Sequence, residues 1–419
     1  MQILCMSDYF VKKREEFVVK KVLKLILVVA LLVSALAIVT ACRSEEEAPP
    51  APAETPAPTP EPTPEPDVED EDDDEEEYIP ADESAAVDIQ IALVAHSPES
   101  ILNDGSFNEG AWAGITQFLA DNNLPSTNAR FYQAVAPDND ARFNSIVQAI
   151  EGGANVLVMP GFQFVDALYD AQDLFPDVYF ILLDATPSRD GEDRIQPNVA
   201  AIHYAEAEAG FLAGYAAVME GHRMLGFMGG NPIPPVIRFG HGFIQGAEYA
   251  AQSLGLDAGE VEINYMYLGG FAPAPEHVVT ASAWFVGGTE VIFAAAGGAG
   301  MSVMAGADDT DGITIGVDSD QHWVNDTVLT SAMKALDVSV HDMLTDILNG
   351  SFPGGVRHIY DASINGVGLP MQTSRFENFT QAQYDAIFNQ IASGALIVDE
   401  ALEMADILEN VSLVVVNEM

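Results

Sequence analysis

NDGSFNEGAWAGITQF, residues 103–118, is the stretch on which the reading of this chain turns. A β-like run at 88–94 precedes it, and Trp112, Ile115 and Phe118/Leu119 follow at three- and four-residue intervals, which predicts a strand-to-helix junction. Ser106 is placed to cap that helix. In an open α/β sheet such junctions, at the carboxyl ends of strands, are where ligands bind. Phe107 offers a ring that can stack on a flat heterocycle, and Asn108 an amide that both donates and accepts and so matches a purine edge. Taken alone, the pair reads first as a staple over the helix start and a turn former.

Outward from this junction the chain alternates. Strand-like runs near 89–95, 130–134, 155–160 and 178–184 are separated by helical stretches near 110–122, 140–151 and 164–174. This βαβ repetition implies a parallel sheet with helices on both faces. After a strand near 199–203 the pattern restarts, with helices near 205–220, 239–254 and 275–285 and strands near 224–228, 261–266, 291–294 and 313–317. Two such halves predict two lobes with a cleft. The segments at 336–349 and from 356 onward read as crossovers and outer helices.

Charge excludes one class of partner. The chain carries a formal −48, and residues 89–419 alone hold 42 acids against nine bases. Phosphate backbones are bound by neutralising Lys and Arg, so nucleic acid is excluded as a partner. Eight of those nine bases are Arg, and Lys334 is the only lysine after residue 24. Both cysteines, Cys5 and Cys42, precede residue 43, so no thiol chemistry or disulfide framework is available to the folded part.

Residues 1–41 read as an export signal: six bases between Lys12 and Lys24, then a charge-free run to Ala41. An uncleaved membrane anchor is the other reading of that run. Nine prolines in residues 49–66, followed by an acidic run at 67–77, make residues 42–88 a stiff, self-repelling tether. Val39-Thr40-Ala41-Cys42 is similar to a bacterial lipobox, which implies a lipidated Cys42 and a chain anchored to the cell membrane on its extracytoplasmic face.

Several short segments, in order over residues 89–370, carry a wider resemblance: Asp104-Gly105-Ser106-Phe107-Asn108, Glu206-Ala207-Glu208 through Gly214, Gly226-Phe227-Met228-Gly229-Gly230, Ala296-Gly297-Gly298-Ala299-Gly300, Gly316-Val317-Asp318 and Thr330-Ser331 with Lys334. Together they resemble the basic membrane lipoprotein, or purine nucleoside receptor, family of ABC-transporter substrate-binding proteins. The resemblance implies an α/β, two-lobed type I periplasmic-binding-protein fold, each lobe a parallel sheet flanked by helices, with three hinge crossovers. On this reading lobe 1 is 89–204, completed by about 325–352, and lobe 2 is 205–324, completed by about 353–419. It also implies a binding protein and not an enzyme, with no cofactor, an ABC permease as partner and a nucleoside, of the purine class, as ligand.

Residue by residue, the resemblance implies that Phe107 stacks on the base and Asn108 bonds its edge. Asp184 takes the opposite edge, Phe293 closes the stack, and Gly297 and Gly298 let backbone approach the ligand. Asp318 and Lys334 hold the ribose hydroxyls. His96-Ser97 and Gly105 depart from the family pattern, which leaves base preference open. From the residues alone, Asp184 and Asp318 also read as helix caps and Phe293 as core. A lone lysine in an arginine-using chain suggests a compact point-charge donor, with a surface ion pair as the plainer reading. The histidines show no ligand-type spacing, so no metal site is expected, and no nucleophile elbow or P-loop is present. A sugar receptor of the same fold and a surface lipoprotein without a transport role are the alternatives.

Overall fold

A computed structural model of the chain describes residues 88–419. The signal segment, Cys42 and the proline-rich tether lie outside the described residues.

The first run folds as β1 (Ile91–Ala95), α1 (Phe107–Asp121), β2 (Ala129–Gln133), α2 (Asn139–Glu151), β3 (Val156–Pro160), α3 (Val165–Leu174), β4 (Tyr179–Leu183), a small hairpin of β5 (Ser188–Arg189) and β6 (Glu192–Asp193), and β7 (Val199–Tyr204). Every residue of β1 and β3 is buried, as strands covered by helices on both faces require. The second run holds α4 (Glu206–Glu220), β8 (Met224–Gly229), α5 (Pro234–Leu254), β9 (Val261–Tyr267), α6 (Pro275–Val286), β10 (Val291–Phe293), α7 (Ala299–Asp308) and β11 (Ile313–Asp318). The chain then revisits both halves through β12 (Val328–Lys334), α8 (Leu336–Leu348), β13 (Val356–Tyr360), β14 (Val367–Gly368), α9 (Gln381–Ala392), α10 (Met404–Leu408) and β15 (Val414–Glu418).

One sheet has the order β13-β7-β4-β3-β1-β2, parallel throughout. The other has the order β14-β12-β11-β10-β8-β9-β15, parallel except for the two-residue β14. The chain passes between the sheets three times, at Tyr204–Glu206, Lys334–Leu336 and Tyr360–Val367.

Those crossings correct the boundaries expected from sequence. Residues 325–352 do not complete the first lobe as a block, because β12 pairs with β11 in the second sheet. Nor do residues 353–419 belong wholly to the second, because β13 pairs with β7 in the first. The sequence Val328-Leu329-Thr330-Ser331-Ala332-Met333-Lys334 mixes polar with apolar residues, which hid a strand that is nonetheless almost wholly buried. The crossings are tied together: the Ala205 N–H donates to the Tyr360 carbonyl at 3.1 Å, and the Ala335 N–H to the Gly366 carbonyl at 2.9 Å.

In the second lobe α4 and α5 meet backbone to backbone. A Cβ at Gly214 would collide with the carbonyl oxygen of Phe243, and one at Gly246 with that of Phe211. Glycine at these positions lets the two helices close on each other, and α5 buries Phe239, Phe243 and Ile244 in the core that includes Phe227 and Phe293.

Candidate functional site

The site begins at the junction that opens α1. Asp104, not Ser106, caps that helix: its carboxylate accepts from the N–H groups of Ser106, Asn108 and Glu109 at 3.0, 3.0 and 3.1 Å. Burial outweighs these three bonds and pushes the Asp104 carboxyl up to about 6. The Ser106 hydroxyl, released from capping, instead donates to Asp318 Oδ2 at 2.6 Å, from the first lobe to the second. Asn108 is buried and spends its amide on the Ile101 carbonyl at 3.1 Å, holding the loop that leads into the helix. Phe107 turns its ring towards Lys334, whose Nζ lies 5.1 Å from the ring centre.

Asp184 follows β4 and Asp318 ends β11, one on each sheet. Both adopt left-handed backbone angles, φ +62 and +65, a conformation that Asp tolerates better than most residues. Between them stands Lys334, the last residue of β12, with Nζ 2.6 Å from Asp184 Oδ2, 3.4 Å from Glu206 Oε1 and 3.7 Å from Asp318 Oδ1. The rings of Tyr204 and Phe239 complete its surroundings at 5.3 and 5.2 Å. Arg238 Nη1 approaches the far oxygen of Glu206 at 3.5 Å.

This is a buried charge cluster with more carboxylates than cations. Burial pushes Glu206 up to about 7 against the pull of Lys334, and raises Asp318 as well. Burial alone would depress the Lys334 ammonium, but Asp184, Glu206 and Asp318 together overcome it and hold it charged. Sequence reasoning set Asp184 at one end of a ligand and Asp318 with Lys334 at the other; the three share one cluster.

A second set of bonds links the lobes beside it. Gln321 donates through Nε2 to the Gly105 carbonyl at 2.8 Å while its Oε1 accepts from the Val317 N–H at 2.9 Å. Ser319 donates to the Ser106 carbonyl at 3.2 Å. Above them lies a cavity of about 730 Å³ walled by both lobes, within the size range of small-molecule sites. Phe107, Asn108, Asp184, Gly297, Gly298, Asp318 and Lys334, all named from the sequence, line it.

Phe293 does not. It is fully buried, packed against Phe227, Phe239 and Phe243 at 5.6, 5.8 and 5.4 Å between ring centres. A ring on a buried strand fills the core, and Phe239, Phe271 and Trp323 are second-lobe aromatics that reach the cavity wall. Gly297, at φ +53, and Gly298 run directly under the Phe271 loop, where the Ala299 N–H donates to the Phe271 carbonyl at 2.8 Å. Sequence reasoning also passed over Ser106 as a lobe-to-lobe donor and Glu206 as a partner of Lys334. Glu206 sits in a quoted motif, so the signal was available. Phe271 follows Gly269-Gly270, an aromatic in a glycine loop, which is a weak signal of its own.

A family model described as "Bmp: ABC transporter substrate-binding protein PnrA-like" matches residues 91–401. The chain belongs to this Bmp family. The match takes in the first sheet, every strand of the second but β15, and every residue of the charge cluster. Among its relatives, the ABC transporter nucleoside-binding protein BmpA of Lactococcus lactis is 28% identical over 311 residues, covering 69% of this chain and 84% of that protein. The CD4+ T-cell-stimulating antigen of Listeria innocua is 28% identical over 339 residues, covering 76% of this chain and 90% of that protein. In fold, the chain is similar to an ABC transporter solute-binding protein from Aeropyrum pernix K1, with a TM-score of 0.63 at 20% identity over 77% of this chain and 96% of that one. A second, from Conexibacter woesei, gives a TM-score of 0.58 at 22% identity, covering 74% and 99%. Bmp family proteins of this kind bind and hand over a solute, and the described residues hold no cluster of side chains suited to a metal ion.

Proposed function

We propose that this Bmp family protein receives a nucleoside, of the purine class, in the cavity between its lobes and delivers it to the permease of an ABC importer while anchored to the cell membrane through a lipidated Cys42. One observation carries the ligand reading: Phe107, Asp184, Asp318 and Lys334, distant in sequence and drawn from both sheets, line one cavity. Their chemistry suits a nucleoside. A ring supplies a stacking face, carboxylates accept from vicinal hydroxyls or base N–H groups, and an ammonium donates. The nucleoside-binding relative in Lactococcus lactis supports the same ligand class. A nucleotide fits poorly, because among the described residues Lys334 is the one cation lining the cavity and three carboxylates already surround it.

Binding would be coupled to a hinge motion at the three crossings, with the ligand favouring the closed arrangement in which Ser106 reaches Asp318. Titration calorimetry with adenosine, guanosine, inosine, cytidine and ribose tests the reading. Heat with the purine nucleosides is expected. Heat with ribose alone would make the protein a sugar receptor, and no heat with any of the five would remove the ligand assignment. A nucleoside retained through purification, seen by mass spectrometry, would support it directly.

A further inference from the structure

The ends of three neighbouring strands carry polar atoms that no protein atom satisfies. In the first sheet β4, β3 and β1 lie side by side, and just beyond them come Asp184, Gln163 and His96 respectively. Asp184 Oδ1, Gln163 Oε1 and His96 Nδ1 are each covered, yet none has a protein hydrogen-bond partner. All three residues line the interlobe cavity. Of the seven such atoms among the described residues these three share one wall, and the other four do not belong to residues lining the cavity.

The row is tight. Gly161, which turns the chain out of β3 at φ +118, would with a Cβ collide with Gln163 Oε1 and come within 3.6 Å of the His96 ring. Its N–H donates to the carbonyl of Leu183, the residue before Asp184, at 3.1 Å. His96 is oriented from behind: Nε2 lies 2.9 Å from Ser100 Oγ, which is itself 3.0 Å from Ser97 Oγ. Burial, then the nearby Arg142, push its imidazole down to about 4, so it is neutral at physiological pH. A buried polar atom left unpaired costs roughly 1–3 kcal/mol, so three in one wall are groups suited to a partner that enters from the cavity.

The row favours donors on that partner. A carboxylate oxygen only accepts, and Asp184 already gives its other oxygen to Lys334. An amide oxygen accepts, and the imidazole accepts at Nδ1 in the tautomer that carries its proton on Nε2, the nitrogen facing Ser100 Oγ. We propose that Asp184, Gln163 and His96 form an edge-reading row that selects, among nucleosides, one whose base presents adjacent N–H donors, as a 2-amino-6-oxopurine does with its ring N–H and amino group. Adenine presents an amino group beside bare ring nitrogens, and unsubstituted purine presents no donor on that edge. The selection rests on the nucleoside reading above and gives a role to His96, one of the positions at which the sequence leaves its family's pattern.

Calorimetry on the intact protein with guanosine, inosine, adenosine and purine riboside tests it. Guanosine is expected to bind at least about tenfold more tightly than purine riboside, with inosine between them, because an unmatched buried acceptor costs that much. Gln163→Leu and His96→Phe are each expected to shrink the guanosine-to-purine riboside ratio at least about fivefold, on the same scale. Equal affinity for all four ligands in the unsubstituted protein overturns the row as a selector while leaving the nucleoside reading intact. So does a loss in the variants that falls equally on guanosine and purine riboside. No heat with any of the four overturns both. Melting curves show whether each variant folds, and the ranking in the unsubstituted protein decides the matter without them.

Discussion

Lys334 Nζ stands 2.6 Å from Asp184 Oδ2; Lys334 ends a strand of one sheet and Asp184 directly follows a strand of the other. This ion pair is therefore both a part of the cavity wall and a fastening between lobes. Removing the cation leaves three buried carboxylates facing one another. Lys334→Met is expected to cost about 3–5 kcal/mol at pH 8, the usual penalty for breaking a buried pair from one side. Urea unfolding of the ligand-free protein measures it, and a loss below about 1 kcal/mol would show the cluster to be solvated.

The same cluster sets a pH dependence. Burial lifts Glu206 to about 7 from an ordinary value near 4.5, so its folded state favours the proton more than the unfolded chain does. The stability it contributes is complete below about 4.5 and is lost as pH rises through about 7. Asp318, raised in the same direction, adds to this trend. Glu206→Gln is expected to flatten the slope of the urea midpoint between pH 5 and pH 8, and an unchanged slope would assign that titration to other groups.

Ser106 and Asp104 divide two tasks that one residue often performs. Ser106→Ala is expected to weaken ligand binding about tenfold by removing a charge-assisted bond of the closed arrangement, with little effect on α1. Asp104→Ala is expected to destabilise the fold by about 1–2 kcal/mol, since it strips the helix of its cap. Calorimetry and thermal melting on both variants separate the roles; an equal fall in melting temperature would erase the distinction.

The two phenylalanines near the second-lobe wall are expected to part in the same way. Phe293→Ala should cost about 3–5 kcal/mol of stability, as a fully buried ring does. Phe271→Ala should leave melting nearly unchanged and reduce nucleoside affinity by about 1–3 kcal/mol if its ring stacks on the base. Affinity lost in Phe293→Ala at full stability would return that residue to the site.

Much of this was legible in the sequence for identifiable reasons. Alternating apolar runs such as Val156-Leu157-Val158-Met159 fixed the parallel strands, because a strand buried on both faces has to be continuously apolar. Asp184, Asp318 and Lys334 were legible because carboxylates at strand ends and a solitary lysine are chemically conspicuous. What stayed hidden depended on distance across the fold. Phe293 ends an apolar strand and Phe271 sits in a glycine loop, and which ring reaches the cavity was decided by what packs over each. β12 was missed because Thr330 and Ser331 bond to Ser374 and Gln321 rather than to water, so a polar run could be interior.

The fastening between lobes sits next to their axle. Lys334 immediately precedes Ala335, and Glu206 immediately follows Ala205, the two residues whose N–H groups stitch the crossings together. Points close to a rotation axis sweep short arcs. In a hinge motion about these crossings Lys334 and Glu206, each one residue away, travel least. The Lys334–Glu206 part of the proposed grip thus stands nearly ready-made before any guest arrives.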